Sequence, residues 1–183
     1  DPGHGSFEDA KEKDVEQAME NWLGVAGARD DAVYVRTRVL DRLSADKRYD
    51  EWSKPRRPSG KENLDTLAGI LLDAVRDASL RYPIDPDRVH VEGLSQTGFW
   101  AWWLGAFAPD RFASVAPMIA WTWHVRKVLP SLRGVPVFVL HGTNDATCPW
   151  AQAKSAVDEL TGLGGDVTFL SEEGGEHVAR TWM

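Results

Sequence analysis

Apolar residues recur at Val15, Ala18, Met19, Trp22 and Leu23. This i, i+3, i+4, i+7, i+8 spacing predicts a helix from Ser6, which can cap it, to about Leu23. The period then changes. AVYVR (32–36) reads as a strand, and the polar, proline-rich stretch 44–59 reads as a loop long enough to be a surface excursion or an insertion. Ser59 and Glu62 have the spacing of a capping box for the next helix, which carries Leu64, Leu67, Ala68, Leu71, Leu72 and Val75 on one face. Tyr82-Pro83 ends that helix, because the residue before a proline is driven out of the helical region.

The remainder alternates between two periods. Val89 to Glu92 reads as a strand, Gln96 to Phe107 as a helix and Phe112 to Ile119 as a strand. VPVFVL (135–140) is apolar throughout and predicts a buried strand. Pro149 to Leu160 follows as a helix, and Val167 to Leu170 as a strand. Strand-helix alternation predicts an α/β fold, a mostly parallel sheet with helices on both faces. No internal repeat or low-complexity tract interrupts it, so residues 1–183 are expected to be one partial domain.

Between Val89 and the helix at Gln96 lies GLS (93–95). Gly-x-Ser alone carries little, since roughly one match is expected by chance in a chain of this length. A serine between a strand and a helix is another matter. A sharp strand-to-helix turn there lifts a serine hydroxyl clear of the sheet as a nucleophile. Such a turn needs small neighbours two residues either side. Gly93 meets the requirement; Thr97 departs from it, and Gly98 stands one place later.

A nucleophilic serine needs a histidine base, and the base needs a carboxylate. In a parallel α/β arrangement their chain order is serine, acid, histidine. Among the five histidines, His177 follows the last strand in a loop. His90 lies within a strand and is expected to be a core histidine. His141 should pack in the turn after its strand, and His4 and His124 stay open as pocket residues. The acid should follow the C-terminal end of a strand, where loops converge. Asp145 does, in VFVLHGTND. Glu172, Glu173 and Glu176 are rivals close to His177, though a glutamate-rich run also suits a solvated loop. Ser95, Asp145 and His177 each follow a strand in the required order, and that joint agreement is the main signal.

Charge narrows the partners. The net charge of −7 argues against nucleic acid and anionic membrane surfaces. No apolar run is long enough to span a bilayer. A lone Cys148 offers neither an intrachain disulfide nor a cysteine-based zinc site. It fits a cytosolic protein and leaves export open. It reads as a small buried hydrophobe rather than a second nucleophile. No dinucleotide-binding glycine pattern is present, so no cofactor is implied and no metal site is expected.

The stretches IDPDRVHVEGLSQTG (84–98), APDRFASVAPM (108–118), VPVFVLHGTNDATCP (135–149) and GGEHV (174–178) resemble the α/β-hydrolase superfamily. Within it the chain resembles small serine esterases: polyhydroxybutyrate-depolymerase-like, phospholipase/carboxylesterase-like and dienelactone-hydrolase-like enzymes. It also resembles the peptidase domain of prolyl oligopeptidases. The likeness covers about residues 60 to 178; residues 1–59 fit less well.

The resemblance implies Ser95 as nucleophile, Asp145 as acid and His177 as base, acting on a small-molecule ester through an acyl-enzyme. It implies an oxyanion donor at Gln96 and a second in DPGHGS (1–6), at Gly3 or His4 because Pro2 has no N–H. Trp121, Trp123 and His124 follow a strand on the same rim and are candidates to line the substrate pocket. Peptidase, thioesterase and a non-catalytic binding domain remain as alternatives. Both ends look truncated by this comparison: an upstream extension of at least one strand, roughly 10 to 40 residues by ordinary element lengths, and a helix after His177 are expected.

Overall fold

Alternating burial along each strand decides which side chains the sheet turns inward. The structure, a computed structural model, describes residues 61–122 and 124–177. All of them lie in the compact unit Val35–Val178. The expected helix 6–23, strand 32–36, loop 44–59, helix cap at Ser59, the oxyanion candidates Gly3 and His4, and Trp123 fall outside the described residues.

Helix α1 (Lys61–Arg81) precedes strand β1 (His90–Leu94), helix α2 (Gln96–Phe107) and strand β2 (Ser114–Met118). Strand β3 (Val137–Gly142), helix α3 (Trp150–Gly162) and strand β4 (Val167–Glu172) complete the described order. The expected elements are present, with ends that match or shift by one or two residues. Short 3₁₀ turns at Pro86–Arg88, Pro109–Arg111, Val125–Lys127 and Leu129–Leu132 were not foreseen. Three of the four contain a proline in their first turn, where its fixed φ favours tight turning.

The strands form a four-stranded parallel sheet in the order β1-β2-β3-β4. Its parallel strands need crossover connections, which α2 supplies between β1 and β2, the turns at Val125–Lys127 and Leu129–Leu132 between β2 and β3, and α3 between β3 and β4. Pro117 sits inside β2, between two partners. Ile119 N–H donates to Leu140 O and Val115 N–H to Pro136 O. Pro117 lies between those two donors and has no N–H, so one rung is missing from the β2–β3 ladder.

The inward face carries Val91, Val115, Val137, Val139 and Phe169, packed with α2 and α3. Helix α2 is apolar nearly all round and correspondingly buried. Trp102 is 0% exposed, Ala101 and Leu104 are buried beside it, and Phe99 stacks on Trp103 at 6.2 Å. Gly105 lets α2 sit down on β2: a Cβ there would meet Val115 Cγ2 at 2.4 Å.

The other face carries His90, Glu92, Leu94, Phe138 and Leu170, all exposed. His90 is therefore not the core residue its place in a strand suggested. Its period-2 partners point outward, and its Nδ1 pairs with Ser114 Oγ at 2.7 Å. No helix among the described residues is long and apolar enough to cross a membrane.

Trp102→Ala should lower the free energy of unfolding by about 3–5 kcal/mol, because a buried indole leaves a cavity that a packed sheet cannot close. A urea titration followed by circular dichroism checks this; a change below about 1 kcal/mol would mean that the α2–sheet contact is not the core.

Candidate active site

The chain leaves β1 and enters α2 through Ser95, whose φ is 56° and ψ −116°. A non-glycine residue at such a φ carries strain, about 1–3 kcal/mol. Three contacts hold the turn. Ser95 N–H donates to Met118 O at 2.9 Å, and Phe99 N–H donates to Ser95 O at 3.1 Å. The hydroxyl of Thr97 donates to Leu94 O and accepts from Leu94 N–H, both at 2.8 Å.

The turn is tight on both sides. A Cβ on Gly93 would lie 2.1 Å from Thr97 O, and one on Gly98 would lie 2.7 Å from Ala120 Cβ and 2.8 Å from Gly93 O. The need for a small residue therefore falls at positions 93 and 98. The departure at Thr97 is tolerated because its side chain points out and back toward the strand end, and remains exposed.

The parallel strands deliver their C-terminal loops to one edge of the sheet. There Ser95 Oγ lies 2.9 Å from His177 Nε2, and His177 Nδ1 lies 2.8 Å from Asp145 Oδ2. A carboxylate only accepts, so Nδ1 carries the proton and Nε2 is free to accept from the serine hydroxyl. The imidazole side chain is 25% exposed and the Asp145 side chain 0%. The serine end of the chain thus meets solvent and the acid end is dry.

A buried carboxylate requires partners. Asp145 Oδ1 accepts from Thr147 N–H at 2.9 Å and Cys148 N–H at 2.7 Å. His141 Nε2 lies 3.3 Å from Oδ2 and donates to Cys148 O at 2.7 Å. His141 is fully buried, as its position suggested, and it also touches the acid, which its sequence position did not reveal. Its Nδ1 is buried without a hydrogen-bond partner. Burial holds the imidazole below its ordinary pKa, against the pull of the Cys148 carbonyl and Asp145. It is a neutral donor.

The loops bearing Asp145 and His177 are joined by backbone. Thr143 N–H donates to Glu172 O, and Asn144 N–H to Gly175 O, both at 2.8 Å. Gly142 permits that approach, since a Cβ there would be 2.2 Å from Gly175 O. Of the rival acids, Glu173 and Glu176 are exposed, and the Nδ1 partner is Asp145.

Cys148 is buried, 1% exposed. Burial and the Asp145 carboxylate push its thiol up to about 12, against a hydrogen bond with Ser95. Asp145, Cys148 and His177 bring their donor atoms within 4.8 Å of one another and are the described residues that could hold a metal. A metal there would have to displace the thiol proton and the Nδ1 proton that already binds Asp145. Reading Cys148 in isolation missed this proximity, because Asp145 and Cys148 reach His177 only through the sheet.

Gln96 opens α2, where the first-turn N–H groups lack helical partners. Trp121 is half-buried against the core cluster, and His124 is half-buried at the start of the Val125–Lys127 turn. A cleft of about 350 Å³ is lined by Thr122, Arg126, Ala151, Gln152 and Ser155 and contains none of the three site residues.

The depressed His141 pKa sets a sign for acid stability. The unfolded chain takes up the proton first, at about 6.5, so stability should fall as pH drops below that value toward the lower folded value. His141→Gln, which cannot titrate, should lose less melting temperature than the parent over the same acid range. Equal slopes in the two thermal-melt series would show that His141 does not contribute.

No family model matches the chain, and no curated protein matches it. Solved structures do. A thermostable esterase matches with a TM-score of 0.54 and 24% identity over 58% of this chain and 28% of its own. Esterase PE8 matches with a TM-score of 0.56 and 20% identity over 78% of this chain and 59% of its own. Acylaminoacyl peptidase of Pyrococcus horikoshii matches with a TM-score of 0.57 and 15% identity over 63% of this chain and 24% of its own. The chain thus spans less than two thirds of each of these proteins. With a parallel sheet, crossover helices and a strained serine at the strand-to-helix turn, the chain has the α/β-hydrolase fold.

Proposed function

We propose that this chain is a serine hydrolase that cleaves carboxylic ester bonds through an acyl-enzyme. The observation that carries the reading is the unbroken hydrogen-bond chain Ser95 Oγ, His177 Nε2, His177 Nδ1, Asp145 Oδ2, at 2.9 and 2.8 Å. Its direction is that of general-base catalysis, with the accepting nitrogen toward the serine.

In the first half-reaction His177 Nε2 takes the Ser95 proton as Oγ bonds to the ester carbonyl carbon. The carbonyl electrons move to oxygen, which the Gln96 N–H stabilises. The tetrahedral centre collapses, the C–O bond breaks, and His177 returns its proton to the departing alkoxide. Water then attacks the acyl-enzyme by the same route, releasing the acid and restoring the serine. Asp145 keeps the imidazole in the working tautomer and stabilises its charged form. No metal or cofactor takes part in these steps. Trp121 and His124 are assigned to the substrate side of the same rim, where a small-molecule ester would lie.

Cys148 does not fit the role of nucleophile. With its thiol pushed up to about 12, it holds almost no thiolate at neutral pH.

The test is a panel of p-nitrophenyl esters of increasing acyl length beside peptide anilides and thioesters. Ester turnover should dominate, and Ser95→Ala should reduce it by on the order of 10³-fold or more in folded protein. Asp145→Asn should cost on the order of 10⁴-fold, the loss expected when the imidazole takes the wrong tautomer. Glu172→Gln, Glu173→Gln and Glu176→Gln should change it little. Substantial ester hydrolysis by folded Ser95→Ala would sink the proposal, and anilide turnover exceeding ester turnover would move it to a peptidase.

Alkylation gives an independent check. Iodoacetamide at neutral pH should leave ester turnover intact, since the thiol is both buried and protonated. Rapid inactivation, prevented by Cys148→Ala, would contradict that reading.

A further inference from the structure

We propose that Thr97 is a positioning residue for Ser95: its hydroxyl fixes the peptide unit that sets the strained serine backbone. The proposal rests on reading Ser95 as the nucleophile.

The Leu94–Ser95 peptide is gripped at both ends. Its N–H donates to Met118 O at 2.9 Å, and its C=O accepts from Thr97 Oγ at 2.8 Å. Ser95 φ is the rotation between this peptide plane and the serine Cα, so holding the plane holds φ at 56°. On the far side, Phe99 N–H holds Ser95 C=O. The serine can then relax toward ordinary backbone angles only by breaking one of these bonds.

Among the described residues, no neighbouring strand supplies the grip that Thr97 supplies. Along a parallel strand, alternate residues turn their N–H and C=O to opposite neighbours. Val89 C=O and Ser95 N–H both face β2, accepting from Ala113 and donating to Met118. Leu94, one step out of phase, turns its N–H and C=O away from β2. Both are taken by the single Thr97 hydroxyl, which donates once and accepts once.

Threonine suits the task. Its branched Cβ restricts χ1, and its own carbonyl is seated against Gly93, so the hydroxyl has a fixed reach. A glycine at this position would make the turn but could not hold Leu94. The same residue that looks like a defect in the serine motif is thus the clasp of its turn.

The experiment compares wild type, Thr97→Val and Thr97→Ser in the full chain. Each is measured for kcat and KM on a p-nitrophenyl ester, for the rate of fluorophosphonate labelling, and for the pH dependence of kcat. Valine keeps the shape and removes the hydroxyl; serine keeps the hydroxyl. Thr97→Val should lower kcat and the labelling rate by on the order of 10- to 100-fold, the scale of a small misplacement of a reacting group. KM should stay within about twofold, because such a loss acts on the chemical step rather than on binding. Thr97→Ser should recover most of the loss. The pH midpoint should be shared by all three, since the His177–Asp145 pair is untouched.

Wild-type rates in Thr97→Val would overturn the proposal, as would a Thr97→Ser variant as impaired as the valine, or a loss carried by KM. A wild type that neither labels nor turns over, while folded, would instead remove the serine-hydrolase reading, and this inference with it.

Discussion

The turn at Ser95 is the constraint on which the rest of the structure depends. A serine at positive φ is worth about 1–3 kcal/mol of strain, and nothing in the residue itself repays it. The surroundings must hold it. The end of β2 supplies one carbonyl, the first turn of α2 supplies one amide, and Thr97 supplies one hydroxyl. The approach of α2 to β1 and β2 then follows, because Gly93, Gly98 and Gly105 are the points at which helix and sheet touch. A helix pressed that close must be apolar on nearly every side, and QTGFWAWWLGAF is.

The second half of the site answers a different demand. Asp145 is a carboxylate with no solvent at its side chain, and a charge in that position is stable only with a full set of donors. Two backbone amides, the His177 Nδ1–H and the nearby His141 Nε2 surround it. The loop after β3 must therefore fold back on itself, and the loop after β4 must lie across it. The β3–β4 register continues to Gly142 and Glu172, so both loops leave the sheet side by side.

Much of this was legible in the chain. Periods of two and of 3.6 marked the elements from 61 to 172, and the order Ser95, Asp145, His177 picked out three side chains that the fold brings within hydrogen-bond distance. What could not be read depends on contacts made across the sheet or on phase. The outward face of β1 is a matter of phase, and His90 went to the wrong side for that reason. The contact of His141 with Asp145 arises because a turn brings residues four apart together. Pro117 removes a rung that only the register makes visible. Thr97 looked like an imperfection because a motif records which residue is usual, not what an unusual side chain can bind. The fold itself, shared with esterases and a peptidase of low identity, does not name the bond cleaved.

The hold on Asp145 Oδ1 comes from the main chain of residues 147 and 148, not from their side chains. An amide donor is common to every amino acid except proline. The identities of residues 147 and 148 are therefore decoupled from the fastening of the acid. Drift at position 148, which touches Ser95, can reshape the wall beside the serine, by volume or polarity, while the carboxylate stays where it is. The turn after β3 separates the part of the site that must stay constant from a part that is free to adapt.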